Sequence, residues 1–233
     1  VNEDDLTTCC NVIVHLDARP NYGYNVTLDL TNSDPSEISF AESKLVFTYE
    51  DWDDKTFCVN AVNDQMDDGA QVSYVIFSIS NNTGDLDPAF QNVQNRTVVV
   101  TTIDNNTANF TITAPPNKSC EVNEGDLTTC CNVTVHLHAQ PNFGYNVTIA
   151  LTNPDTSEIE LSESKLIFTY DDWADKTFCV NSVNDKMDDG DQVSNVILSI
   201  NNDTGDADWA YQNVQNQTVV VTTIDNNTAN FTI

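Results

Sequence analysis

Apolar and polar residues alternate with a period of two along most of the chain. In Cys131-Asn-Val-Thr-Val-His-Leu137, residues Cys131, Val133, Val135 and Leu137 fall on one face and Asn132, Thr134 and His136 on the other. This is the pattern of a strand with one buried face. Segments 145–151, 165–170, 176–183, 192–200 and 217–224 read the same way and are rich in β-branched and aromatic residues. Turn clusters separate them: Gln140-Pro-Asn-Phe-Gly144, Asn153-Pro-Asp155, Asp188-Asp-Gly190 and Asn201-Asn-Asp-Thr-Gly205. No long stretch carries a helical period. The pattern predicts an all-β chain of antiparallel β-sandwiches, with about seven short strands in each.

The pattern is written twice. Residues 1–112 align with 122–233 without a gap at an offset of 121, and 26 of the 112 positions differ, leaving 86 identical. Two full periods would be 242 residues, so 242 − 233 = 9 are missing, and they correspond to 113–121, TAPPNKSCE. The chain is thus expected to start partway through a repeat. With no signal peptide and no initial Met, it reads as a mature or excerpted segment. Repeats this similar belong to arrays or polymers more readily than to enzymes.

Several motifs carry a family resemblance. Val122-Asn-Glu-Gly-Asp126 resembles the V-x-E-G-D opening of Calx-β domains. Leu166-Ile-Phe-Thr169 followed by Asp172-Trp173 is similar to a segment of their bacterial relatives. So are Val183-Asn-Asp185 with Asp189-Gly190, Asp208-Trp-Ala-Tyr211, and Ile224-Asp-Asn-Asn-Thr-Ala-Asn-Phe-Thr232. The matches run in family order through both repeats. The resemblance implies two tandem seven-stranded antiparallel sandwiches, immunoglobulin-like in architecture, of a kind found in extracellular adhesion and matrix proteins. In that family the segment after Asp-Asn-Asp begins the next domain. The expected boundaries are therefore 1–104, a sandwich lacking its first strand, 105–225, a complete sandwich, and 226–233, an extra first strand. Alternation of Ala108, Phe110 and Ile112 with Asn109 and Thr111 supports a half-buried strand there, repeated at Ala229, Phe231 and Ile233. One chain's tail would fit the gap in another's head, which is β-strand addition. Such a head-to-tail contact propagates as an open filament. A continuous covalent array gives the same linear stack, and both readings stand at this point.

The resemblance also implies calcium ligands: Glu3, Asp64, Asp67, Asp68 and Asp104 in the first repeat, and Glu124, Asp185, Asp188, Asp189 and Asp225 in the second. The family's second Asp of D-N-D is Asn106 or Asn227 here, and its acidic segment before the fourth strand is not recognisable. Fewer carboxylates favour one ion per domain, or none, over a four-ion cluster.

Cysteine parity predicts disulfides and hence an oxidising location. Adjacent cysteines on a strand point to opposite faces, which does not suit zinc. Cys131 shares the apolar face, as does Cys120, while Cys130 and Cys179 face out. The expected pairs are Cys120–Cys131, Cys130–Cys179 and Cys9–Cys58, with Cys10 left for a cysteine of the preceding segment or subunit. Sequons for N-linked glycans occur at Asn25, Asn81, Asn95, Asn105, Asn109, Asn117, Asn132, Asn146, Asn202, Asn216, Asn226 and Asn230.

Charge narrows the partners. With 36 acidic and 8 basic residues the formal net charge is −28, which disfavours nucleic acid and anionic membranes. Apolar runs of a few residues are far short of the roughly 20 that a spanning helix needs. No catalytic constellation is found: His15, His136 and His138 lie on a polar strand face without a nucleophile motif, and the chain has only 7 Gly, with no phosphate-cradling loop. Trp52 and Trp173 are expected to plug one end of each sandwich. Two functions follow as expectations. One is a structural subunit or repeat of an extracellular, N-glycosylated filament or surface fibre whose partner is another copy of itself. The other is a calcium-dependent adhesion or carbohydrate-binding module. A shared aromatic platform is not apparent, since the repeats differ at Tyr74/Asn195, Pro88/Trp209 and Phe90/Tyr211.

Overall fold

A computed structural model describes residues 1–5, 7–81, 84–115, 119–126 and 128–232. The chain divides into two units, Val1–Asn105 and Asn106–Ile233. The first unit holds β1 (Cys10–Val14), β2 (Asn25–Asn32), β3 (Ile38–Ser39), β4 (Lys44–Thr48), β5 (Lys55–Ala61), β6 (Gln71–Ile79) and β7 (Arg96–Thr102). They form two antiparallel sheets, ordered β1-β5-β3 and β4-β2-β6-β7. Asn2 bridges Ile103 in parallel beside β7.

The second unit holds β8 (Phe110–Thr113), β9 (Ser119–Asn123), β10 (Cys131–Leu137), β11 (Asn146–Thr152), β12 (Ile159–Leu161), β13 (Lys165–Thr169), β14 (Lys176–Ser182), β15 (Gln192–Ile200) and β16 (Gln217–Ile224). Its sheets run β12-β14-β10-β8 and β13-β11-β15-β16-β9, with β9 parallel to β16. The all-β sandwich fold is therefore shown for both units.

The alternation read from the sequence is the burial pattern. Along β14 the residues Phe178, Val180 and Ser182 are buried while Lys176, Thr177, Cys179 and Asn181 are not. One buried face per strand leaves two apolar sheet faces that must meet. In the second unit they close around Phe110, Phe168, Phe178, Ile149 and Leu198. Turns need glycine where φ is positive: Gly23 (86°) and Gly144 (85°) each precede a tyrosine whose N–H closes the turn onto Asn21 or Asn142. Short 3-10 turns at Pro88–Phe90 and Trp209–Tyr211, capped by Asp87 and Asp208, are additions to the expected strands. Trp52 and Trp173 are half-buried, and Trp173 packs against the core.

Three disulfides are formed: Cys9–Cys58, Cys120–Cys131 and Cys130–Cys179. Cys120 and Cys131 are buried, and this bridge ties β9 of one sheet to β10 of the other. Cys10, at the position of Cys131, is exposed and unbridged.

The expected strand at 226–233 takes no strand structure among its described residues, and Phe231 is 82 % exposed. A strand's backbone bonds come from a neighbour, so alternation alone cannot form one without a sheet edge beside it. Ile233 lies outside the described residues, as does the sequon Asn117.

Candidate functional site

The two units differ at one edge. In the second, β8 lies antiparallel on β10, with Phe110 opposite Leu137, Thr111 opposite His136 and Ile112 opposite Val135. Ala108, Phe110, Ile112 and Ala114 are all buried there. In the first unit β1 occupies the position of β10, and among the described residues nothing pairs with its outer side. The result is an apolar groove of about 480 Å³ lined by residues that include Val12, Val14, Leu16, Phe77, Phe90 and Val98. Phe90 and Val98 are half-buried, whereas their counterparts Tyr211 and Val219 are fully covered. A paired edge and a covered apolar face are what β8 supplies.

Acidic side chains gather at the end of each unit where β7 or β16 stops. Glu3 follows the parallel bridge to Ile103, Glu37 precedes β3, and Asp64 and Asp68 lie in the loop between β5 and β6. Carboxylate oxygens of Glu37, Asp64 and Asp68 lie within 4.8 Å of one another, as do those of Glu158, Asp185 and Asp189. Glu3 and Glu37 are 2 % and 4 % exposed, so these are buried charges rather than solvated ones. Glu3 Oε2, Glu37 Oε2, Asp64 Oδ2 and Asp68 Oδ1 are buried without a hydrogen-bond partner, and so are Glu124 Oε2, Glu158 Oε2 and Asp185 Oδ2.

The electrostatics follow from this crowding. Burial first, then the charges of Asp64, Asp104 and Asp68, push Glu3 up to about 7. Burial and the charges of Asp68, Asp64, Glu3 and Asp34 push Glu37 up to about 7. Asp68 rises to about 6 through burial and then Asp64, and burial also raises Asp64. Glu124 and Glu158 are raised chiefly by burial. An all-carboxylate donor set with orphaned, buried oxygens fits a hard cation such as calcium, which takes oxygen ligands at about 2.3–2.6 Å.

Of the expected ligands, only Asp64, Asp68, Asp185 and Asp189 join these groups; Glu3, Asp67, Asp104, Glu124, Asp188 and Asp225 stand outside them. Asp188 is exposed and accepts the Ala229 N–H at 2.6 Å. Asp67 is half-buried and also outside the three-carboxylate group. Asp104 accepts Gly69 N–H at 2.8 Å. Asp225 accepts Gly190 N–H at 2.9 Å and Asn227 N–H at 2.6 Å, and these bonds hold its carboxyl below the usual range. Glu37 and Glu158 are members that the sequence reading missed. Their only signal was the run Ser-Glu-Ile, unchanged at 36–38 and 157–159.

Most sequon asparagines are exposed: Asn81, Asn95, Asn105, Asn109, Asn132, Asn202, Asn216, Asn226 and Asn230. Asn25 and Asn146 are half-buried and donate their amides to Asp85 and Asp206. An aromatic pair, one ring exposed and the other half-buried, recurs at one loop end of each unit. Tyr22 meets Tyr49 edge-on at 5.4 Å, and Phe143 meets Tyr170 at 5.3 Å. His15 and His136 pair with Asp54 and Asp175 on exposed surface, with no nucleophile among those contacts.

No family model matches the chain, and no curated protein matches its sequence. Solved structures that match the chain include the D0-D1 domain of Intimin, at 12 % identity over 96 % of this chain and 94 % of that one, with a TM-score of 0.32. CBD12 from CALX1.2 has 12 % identity over 88 % and 79 %, with a TM-score of 0.35. Domains 4 and 5 of the S-layer protein SbsC have 12 % identity over 85 % and 70 %, with a TM-score of 0.37. Among the described residues, no helix is long and apolar enough to cross a membrane.

Proposed function

We propose that the protein is a structural subunit or repeat of an extracellular fibre whose β-sandwiches stack head to tail by strand donation. The observation that carries this is the edge of the first unit. Its groove has the position of the site that β8 fills in the second unit and a similar apolar lining, with Val12, Val14, Leu16 and Val98 matched by Val133, Val135, Leu137 and Val219. The sequence Ala108-Asn-Phe-Thr-Ile112 of that filling strand recurs unchanged at 229–233, where Phe231 stands exposed. Three disulfides support an oxidising, extracellular location. Calcium at the two acidic sites would neutralise the buried carboxylates, and glycans on the exposed sequons would keep the sides of a stack apart. Cys10 stands ready for a cysteine brought by a neighbouring segment, as Cys120 serves Cys131.

Negative-stain imaging and light scattering of the purified chain test the reading. Concentration-dependent linear oligomers are expected, and monomers at every concentration would overturn it. A second reading, a carbohydrate-binding or adhesion module, is favoured by the aromatic pairs Tyr22–Tyr49 and Phe143–Tyr170, since exposed rings offer stacking faces. Tyr22→Ala with Phe143→Ala would then abolish retention on an oligosaccharide matrix, and unchanged retention would remove that reading.

A further inference from the structure

The two copies of the donated strand are identical, yet the positions that receive them are not. Both arginines of the chain, Arg19 and Arg96, stand in the first repeat, and Gln140 and Gln217 take their places in the second. At the first pair, arginine and glutamine make the same hydrogen bond, and Arg19 also lies over the Tyr49 ring and beside Glu50. Arg19 Nε donates to the Tyr49 carbonyl at 2.5 Å, and Gln140 Nε2 donates to the equivalent Tyr170 carbonyl at 2.7 Å.

At the second pair the glutamine holds the filling strand. Gln217 Nε2 donates to the carbonyl of Phe110. The geometry explains why that carbonyl needs a donor. His138 N–H donates to Asn109 O at 2.9 Å, so in an alternating antiparallel ladder the polar groups of Phe110 turn away from β10. Strand β8 is the edge of its sheet, and among the described residues no further strand meets them there. Gln217, reaching from the facing sheet, supplies the bond. Arg96 opens β7 as Gln217 opens β16, and lines the groove; its main chain pairs with Phe77, and its guanidinium makes no hydrogen bond or ion pair among the described residues.

We propose that Arg96 is the residue that reads the donated strand, donating to the main-chain carbonyl of Phe231 when the tail of a second copy lies antiparallel on β1. The inference rests on the strand-donation reading above and names its contact. The register carries over at the offset of 121: Phe231 opposite Leu16 and Thr232 opposite His15. Phe231 then fills the groove beside Phe90 and Val98, and the amides of His15 and Asp17 bond the donated strand. A guanidinium–carbonyl bond is charge-assisted and stronger than its amide equivalent. The donor end is acidic, with Asp225 and Asp188 accepting the N–H groups of Asn227 and Ala229 just before the strand. A cation at the groove therefore favours this donor and disfavours basic segments of similar apolarity.

The test uses the full chain carrying Phe231→Asp, whose own tail cannot dock, and a synthetic peptide of the sequence of residues 226–233. Binding is followed by fluorescence anisotropy, with hydrogen exchange at His15 and Asp17 as the second readout. The peptide is expected to bind and to protect both amides. Arg96→Ala should weaken binding about tenfold, and Arg96→Gln should restore most of it. Equal affinity in all three proteins, or an Arg96→Gln variant as weak as Arg96→Ala, overturns the role of Arg96 while strand donation stands. No binding and no protection with Arg96 in place overturns strand donation itself.

Discussion

Glu37 is buried beside two aspartates, and its charge is relieved only when a proton or a cation joins the group. Glu3 and Glu37 titrate near 7 in the folded chain, against an ordinary value of 4.5. Between those values the folded state binds more protons than the unfolded state, so stability falls as pH rises. Cation-free protein should melt at a higher temperature at pH 5 than at pH 8 in scanning calorimetry. Calcium at millimolar concentration should raise the melting temperature more at pH 8 than at pH 5, because protons compete for the same oxygens. Glu37→Gln removes a ligand and a repelling charge together. It should stabilise the cation-free first unit at pH 8 and weaken calcium binding by at least about tenfold in titration calorimetry. No heat of binding and no thermal shift in the unaltered chain would exclude the cation.

One strand motif has two fates, and they separate local preference from context. Phe110 in β8 is fully buried and Phe231 is exposed, although their neighbours in sequence are the same. Phe110→Ala should cost about 3–5 kcal/mol in chemical unfolding of the second unit. Phe231→Ala should change stability by less than about 0.5 kcal/mol and should abolish chain-to-chain association. Strand faces and the paired cysteines were legible because side-chain parity is a local property. The number of strands per sheet and the fate of 226–232 were not, because an edge acquires its partner from elsewhere in space.

At the scale of the whole chain, the net charge of −28 acts with the exposed sequons. Like charge on the flanks opposes side-by-side association, and sugar on those sequons would add to it; under the proposed strand donation the apolar groove of the first unit would then be the favoured contact. Native material should exceed the polypeptide mass of 25.8 kDa, and glycosidase treatment should return it to near that value in intact-mass measurement. Peptide mapping should find less glycan at Asn25 and Asn146, whose amides are held by Asp85 and Asp206, than at exposed Asn132.

The order of residues by itself determined the fold class, the repeat and the cysteine partners, since alternation, duplication and parity are all properties of neighbours in the chain. It also placed Asp64, Asp68, Asp185 and Asp189 in one loop of each unit. Only the tertiary structure brought Glu37 and Glu158 to those loops, across about 30 residues of chain, and left Glu3, Asp67, Asp104, Glu124, Asp188 and Asp225 outside the groups. Only the tertiary structure showed that β1 is an open edge among the described residues, with an apolar groove behind it, and that Arg96 stands where Gln217 grips β8. The reason is the same in each case. A carboxylate site, a sheet edge and a carbonyl clamp are made by groups far apart in sequence, and folding alone decides which of them meet.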